Sequence, residues 1–163
     1  MENVESYRDD ERRYVLVLDA RFGMTFNRLQ QRFYAHMLTA ISLLQIVAGS
    51  AAVTALVTRS VALSAAAGVV IAIVGAVGAI IDLGGRAARF DEHSRRYAEL
   101  DARSLRLSTE ELSERLSELQ ASGPAGEIDA LSQPAYNANL RANGRDDAVV
   151  PVTALGRVLA AFA

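Results

Sequence analysis

Charged side chains are almost absent from the middle of this chain. Between His36 and Asp82 the only charged residue is Arg59, which separates two uncharged runs at 37–58 and 60–81. Both runs are rich in Ala, Val, Leu and Ile, and neither contains Pro. A helix of about 20 apolar residues spans the hydrocarbon core of a bilayer. The pattern therefore predicts two membrane-spanning helices, joined as a hairpin that turns at residues 58–60.

A soluble helical bundle is the alternative, because central helices that are buried on every side are also apolar all round. Covering two such helices would require many other elements. The rest of the chain is short and mostly charged. We therefore expect lipid rather than protein to surround the hairpin.

Residues 1–36 predict one cytosolic amphipathic helix that continues into the first span. Phe22, Phe26, Leu29 and Phe33 recur at helical spacing and share one face. One interpretation is that this stripe packs against the other cytosolic helix, which helical-spaced aromatic residues favour. The other is an interfacial anchor with arginines facing lipid phosphates.

Residues 84–122 return to a charged helical pattern after the Gly84-Gly85 pair, which indicates a hinge or a close contact. Ser108 and Glu111 match a capping box and predict a new helix there. A seam at 3–4 spacing predicts packing beside the leading helix in a coiled-coil-like stalk. The seam residues are Phe90, His93, Tyr97, Leu100, Ser104 and Leu107, and the stripe of the new helix is Leu112, Leu116 and Leu119.

Residues 123–163 are divided into short pieces. Pro134 predicts a helix start, with Tyr136 and Leu140 facing inward and Gly144 at the end. Pro151 predicts a second helix that ends at residue 162. Its apolar face would be Leu155, Val158, Leu159 and Phe162. These helices would clasp the stalk base or a neighbouring subunit, or stay loosely ordered.

The predicted fold is therefore all-α, with a two-span hairpin, long cytosolic helical extensions that form a stalk, and short C-terminal helices. Its segments are 1–36, 37–83, 84–122 and 123–163. Arginines cluster at the open end of the hairpin, whereas the tip carries only Arg59, and the positive-inside rule then places both termini in the cytoplasm. The flanking arginines nearest the spans are Arg28, Arg32, Arg86 and Arg89. We expect a multi-pass protein of the bacterial inner membrane.

Small residues spaced by four recur in both spans and allow close helix packing in lipid. They are Ala48, Ala52, Gly68, Ala72, Gly75, Ala76 and Ala79. The second span has more of them than one partner requires, which indicates contacts between subunits of a homo-oligomer. No metal ligand set, cofactor motif or catalytic constellation occurs, and we expect no enzyme activity.

The first span also carries polar residues. Gln45 stands out, because an amide at that depth requires a partner or water. It would form an inter-helix hydrogen bond or line a pore. The hydroxyl residues around it do not require a pore or an inter-helix contact, because a hydrogen bond from each hydroxyl to its own helix backbone explains them equally well. They are Thr39, Ser42, Ser50 and Thr54.

Composition excludes several classes of function. The chain has no cysteine, so it has no disulfides, thiolate zinc sites or cysteine nucleophiles. All 17 basic residues are arginine, which excludes a P-loop lysine and a Schiff-base lysine. A net charge of -2 gives no indication of nucleic-acid binding.

The layout of the chain resembles a known family. Arginines and aromatic residues at 28–34 precede the hairpin, and His93-Ser94-Arg95-Arg96-Tyr97 follows it. The chain ends with Tyr136-Asn137-Ala138-Asn139-Leu140 and later Arg157-Val158-Leu159-Ala160. Together these segments resemble the SLATT domain, and the end is similar to small stand-alone members of that group. The resemblance covers most of the chain and includes no catalytic signature.

The resemblance implies a membrane effector that oligomerises, forms a pore and acts in bacterial nucleotide-signalling antiphage defence. Fused members carry a nucleotide synthase or sensor domain, which this chain lacks, so a trigger would come from a separate partner or would not exist. Two other interpretations stay open. One is a non-conducting oligomeric membrane scaffold. The other is a phage holin, which the long ordered cytosolic portion fits less well.

Overall fold

Every regular element in the part of the chain that the structure describes is helical, which confirms the all-α class. The computed structural model describes the backbone of residues 2–57 and 60–163, and their side chains except at 2–6, 55–57, 77 and 79. The α-helices are α1 Glu2–Val57, α2 Val61–Ile81, α3 Leu83–Arg103, α4 Thr109–Ala121, α5 Ser132–Ala142 and α6 Ala154–Phe162. The predicted turn at 58–60 falls largely on residues 58 and 59, which lie outside the described residues.

α1 runs without interruption from the charged N-terminal region through the first apolar run. No proline occurs before residue 124, so nothing in the sequence removes a backbone donor or forces a kink. At 1.5 Å per residue its 56 residues form a rod about 84 Å long. The predicted continuation of the leading helix into the apolar run is confirmed.

α2 and α3 lie antiparallel to α1, one after the other. On α2, a Cβ built on Gly75 would lie 3.8 Å from Nε2 of Gln45. On α3, the Ser94 hydroxyl donates a 3.0 Å hydrogen bond to the Met24 carbonyl oxygen. Arg21, farther back along α1, pairs with Asp101 at 3.1 Å. After residue 60 the chain thus retraces α1 from its C-terminal end towards its N-terminal end.

Asp82 joins α2 to α3 and caps both helices. Its backbone is left-handed, with φ 47° and ψ 53°, and its Oδ1 accepts a hydrogen bond from the Gly85 amide at 3.1 Å. A Cβ on Gly85 would collide with this carboxylate, so the Gly84-Gly85 pair provides a close contact. Arg89 pairs with the other carboxylate oxygen at 3.2 Å.

The predicted seam forms the core between α1 and α3. Its members are buried except Leu107, which is half-buried. Leu112 and Leu116 of α4 join the same core, which confirms the predicted stripe. The capping box at Ser108 is also confirmed, because its hydroxyl accepts a 3.2 Å hydrogen bond from the Glu111 amide.

α5 differs from its prediction in both its start and its buried face. It begins at Ser132 rather than Pro134, and Tyr136 is 44% exposed instead of facing inward. The buried residues of α5 are Ala135, Asn137 and Asn139. The reason is hydrogen bonding, because the Asn139 amide donates to the Leu18 carbonyl oxygen of α1 at 3.1 Å. The predicted end is confirmed by Gly144, whose φ is +71°.

α6 begins at Ala154, not at Pro151. The Thr153 hydroxyl caps it by accepting a 3.1 Å hydrogen bond from the Gly156 amide. The predicted apolar face is mostly uncovered, with Leu155 60% exposed and Val158 67% exposed. Leu155 and Val158 therefore form no part of the core of this chain.

The aromatic stripe of α1 contacts the C-terminal helices in addition to α3, where Phe33 packs against the cluster of Tyr34, Leu83 and Phe90. The Phe22 ring lies 6.3 Å from that of Tyr136, and the Phe33 ring lies 5.6 Å from that of Phe162. α5 and α6 of the same chain therefore clasp α1.

Candidate membrane segment

The apolar helices have little protein around them. In the described residues, one helix is long and apolar enough to cross a membrane, at Tyr7–Thr54, and 6% of its most apolar window is buried. A shorter apolar helix follows at Val61–Ala76. Large apolar side chains that are exposed on these two helices include Leu43, Ile46, Val47, Val53, Val61, Val69, Ile73 and Ile80. A soluble core helix would be mostly buried, and this surface is not.

The predicted small residues fall into two groups. Ala48 is buried, and Gly75 lies against Gln45, so these two residues serve the contact between α1 and α2. Gly68, Ala72 and Ala76 are exposed and form an outward stripe on α2. A Cβ on Gly68 would meet nothing within 4 Å. Of the other two, Ala52 is half-buried, and the Ala79 side chain lies outside the described residues.

The hydroxyls of the first apolar run bond to their own helix. Thr39, Ser42, Ser50 and Thr54 each donate to the carbonyl oxygen four residues earlier, at distances between 2.9 and 3.0 Å. Such bonds satisfy a hydroxyl donor without any partner from another helix.

Gln45 occupies a different position. It is half-buried where α1 faces α2, and its side-chain nitrogen lies over Gly75. Among the described residues its amide makes no hydrogen bond. The amide therefore lies between the two helices at the level of Gly75.

The predicted flanking arginines have three different environments. Arg28 and Arg32 are exposed on α1. Arg89 pairs with Asp82. Arg86 turns inward, where its Nη1 donates to the Tyr34 hydroxyl at 3.3 Å and its Cζ lies 5.7 Å from the centre of the Tyr34 ring.

A set of polar contacts fixes the loop after α4 to α1 near the start of the apolar run. The fully buried Gln30 side chain donates to the Ile128 carbonyl oxygen at 3.2 Å and accepts from the Ile128 amide at 3.1 Å. The Tyr34 hydroxyl donates to the Gly126 carbonyl oxygen at 2.6 Å. We refer to Gln30, Tyr34, Gly126 and Ile128 as the loop clamp.

The sequence pattern did not predict the loop clamp. A signal was present, because Gln30 and Tyr34 are one helical turn apart and Gly126 closely follows the turn-forming pair Gly123-Pro124. Their partners lie more than ninety residues away in sequence, and a helical pattern does not identify such pairs.

Within the described part of the chain, no group of three or more His, Asp and Glu side chains could hold a metal ion. Comparisons with protein-family models, with curated proteins and with solved structures find no match to this chain.

Proposed function

We propose that this protein is an integral membrane protein in which 37–58 and 60–81 cross the bilayer as a hairpin, with both termini and the stalk in the cytoplasm. The observation that carries the proposal is the exposed apolar surface of α1 and α2. Burying apolar surface is favourable by about 25 cal/mol per Å². Lipid tails provide the burial that the rest of this chain does not.

The position of α6 supports the same placement. Its last ring, Phe162, lies 5.8 Å from the His36 ring, next to the residue where the apolar run begins. The exposed Leu155 and Val158 of α6 are therefore close to the cytoplasmic boundary of the proposed hairpin. An amphipathic helix at that level buries its apolar face among lipid head groups.

The outward stripe of Gly68, Ala72 and Ala76 supports self-association, because small residues allow helices of neighbouring subunits to approach closely in lipid. Ala72→Leu is expected to shift the detergent-solubilised protein to a smaller assembly by filling this stripe. Ala66, also exposed on α2 but on another face, gives the control Ala66→Leu, which should leave the assembly unchanged. Light scattering coupled to size exclusion measures both. Equal masses for the two variants would contradict a role for the stripe.

We further propose that the oligomer is a pore-forming or membrane-perturbing effector. Support comes from Gln45, the one side-chain amide within the proposed spans, and from the resemblance to the SLATT domain. That resemblance also implies a separate partner that delivers a nucleotide-linked signal. An amide in hydrocarbon is costly unless a partner or water satisfies it.

Gln45→Leu is expected to change dye release from liposomes that contain the protein while the mass of the assembly stays the same. The physical reason is that a leucine removes a polar group from a water-filled path without changing the volume of the side chain much. Thr39→Val is the control, since the Thr39 hydroxyl bonds to its own helix. Loss of assembly in Gln45→Leu would show that the amide is a packing contact instead.

A non-conducting scaffold is the second candidate function. The hydroxyl bonds within α1 favour it, because those side chains offer little unsatisfied polar surface to line a water-filled path. The two functions differ in one measurement. An oligomer that neither releases dye from liposomes nor depolarises expressing cells is a scaffold.

A further inference from the structure

A cavity of about 330 Å³ opens between α1, α3 and the loop after α4. Its size is typical of sites for small molecules. Residues one helical turn apart on α1 line one side, at Asp19, Gly23 and Asn27. Tyr97 and other residues of α3 and the loop complete it. It lies in the proposed cytosolic part of the protein, away from α2.

Asn27 lines this cavity and carries a buried acceptor without a partner among the described residues. The residue is 3% exposed, and its Nδ2 donates to the Gly23 carbonyl oxygen at 2.7 Å. Because a carbonyl oxygen can only accept, this bond fixes which way the amide points. Oδ1 then has no hydrogen-bond partner among the described residues. A buried acceptor without a donor costs about 1–3 kcal/mol, so the cavity favours a ligand that donates a hydrogen bond.

Aromatic rings form much of the remaining wall. Tyr97 lies directly on the α1 backbone, and a Cβ on Gly23 would come within 2.5 Å of its ring. Phe22 and Phe26 also line the cavity, with their rings stacked at a centroid distance of 5.9 Å. Such rings attract both apolar groups and cations.

The charged groups of the cavity wall are acidic. Asp19 and Glu127 line the cavity, and no arginine does. Burial raises the pKa of Asp19, and burial together with the Asp129 charge raises the pKa of Glu127. Burial lowers the pKa of His93, which leaves this ring neutral at neutral pH. Both carboxylates would therefore be stabilised in their ionised form by a positive charge in the cavity.

The cavity wall is held in place by the loop clamp. Glu127 lies between Gly126 and Ile128, whose backbone groups bond to Tyr34 and Gln30. Gly126 has φ +93°, and the Arg86 guanidinium lies against it where a side chain would otherwise be. The loop residue that bears one carboxylate is thus fixed before any ligand arrives, which lowers the entropic cost of binding.

We propose that this cavity is a binding site for a small organic cation, a protonated amine that carries an apolar body. The ammonium group would donate to Asn27 Oδ1 and face the carboxylates of Asp19 and Glu127. The apolar body would lie against the rings of Phe22 and Tyr97. This proposal does not depend on pore formation, because every residue involved lies outside the proposed spans.

Three probes of similar size separate charge from shape: n-butylammonium, n-butanol and butyrate. In calorimetric titration of the full-length protein in detergent, saturable binding is expected for n-butylammonium only. Asn27→Leu and Glu127→Gln are each expected to weaken that binding at least tenfold. Arg157→Gln, an exposed change on α6, should leave it unchanged.

Circular dichroism and thermal unfolding of each variant establish that it is folded. Asn27→Leu removes an unpaired buried acceptor, so its melting temperature should not fall. Glu127→Gln changes an exposed residue, so this variant should stay folded whatever the effect of Asn27→Leu on the fold. The proposal is overturned if n-butylammonium does not bind, if butyrate binds equally well, or if folded Asn27→Leu and Glu127→Gln bind n-butylammonium as the unmodified protein does.

Discussion

Replacing Ile46 and Val53 together by aspartate is expected to move the protein out of the carbonate-resistant membrane fraction. Ile46 is 65% exposed and Val53 is 62% exposed. In water, two exposed substitutions of this kind change stability by about 0.5 kcal/mol or less each. In lipid, an aspartate near the centre of a span costs about 2.5–3.5 kcal/mol for insertion. Loss of the double variant from the membrane fraction is therefore expected only if lipid, rather than water, surrounds α1.

Leu105→Asp is the matched control for that experiment. Leu105 is also a large exposed apolar residue, but it lies in the short 3₁₀ turn after α3, outside the apolar helices. It should leave membrane association unchanged. If the double aspartate variant stayed in the membrane pellet, or if the unmodified protein were released by carbonate, the proposed membrane placement of α1 would be wrong.

Gln30→Leu is expected to release the loop after α4 and to lower the free energy of unfolding by about 1–3 kcal/mol. Leucine fills most of the same volume, but the Ile128 amide loses its described partner, and the Ile128 carbonyl oxygen keeps only its bond from the Leu131 amide. Glu127 lies within this loop, so cleavage by a glutamate-specific protease reports its release directly. Thermal unfolding in detergent reports the loss of stability.

Gln31→Leu is the matched control, because it makes the same glutamine-to-leucine change at the neighbouring position of α1. Gln31 follows Gln30 on α1, is half-buried, and its side chain makes no hydrogen bond to the loop after α4 among the described residues. It should change the melting temperature little and leave the cleavage rate at Glu127 as it was. Equal behaviour of the two variants would show that the Gln30 bonds contribute nothing measurable.

Local patterns were sufficient to predict the core between α1 and α3. Phe90, Tyr97 and Leu100 repeat at helical spacing, and burying them requires a neighbouring helix. The capping box at Ser108 is likewise encoded within four residues. Such features depend on the nearest turns of the chain, so they can be inferred without knowledge of the fold.

Contacts between distant segments could not be predicted in this way. The buried face of α5 depends on Asn139 reaching a carbonyl oxygen of α1, which outweighs the larger apolar area of Tyr136. The cavity depends on Gly23 admitting the Tyr97 ring and on the loop that carries Glu127. Hydrophobic periodicity does not encode either arrangement. The glycine at position 23 was a signal in the sequence, but its role in admitting the Tyr97 ring could be recognised only once the position of α3 was known.

α1 and α2 differ in how the chain continues beyond their apolar regions, and this difference has a mechanical consequence. The hydrogen-bond ladder of α1 is unbroken from the cavity at Gly23 to Gln45, a distance of about 33 Å along the axis. Rotation at one end can therefore be transmitted along α1 to the other end. α2 has no such rigid link, because the left-handed backbone at Asp82 interrupts its connection to α3. Reorientation of the two apolar helices relative to each other would therefore use Asp82 as its pivot.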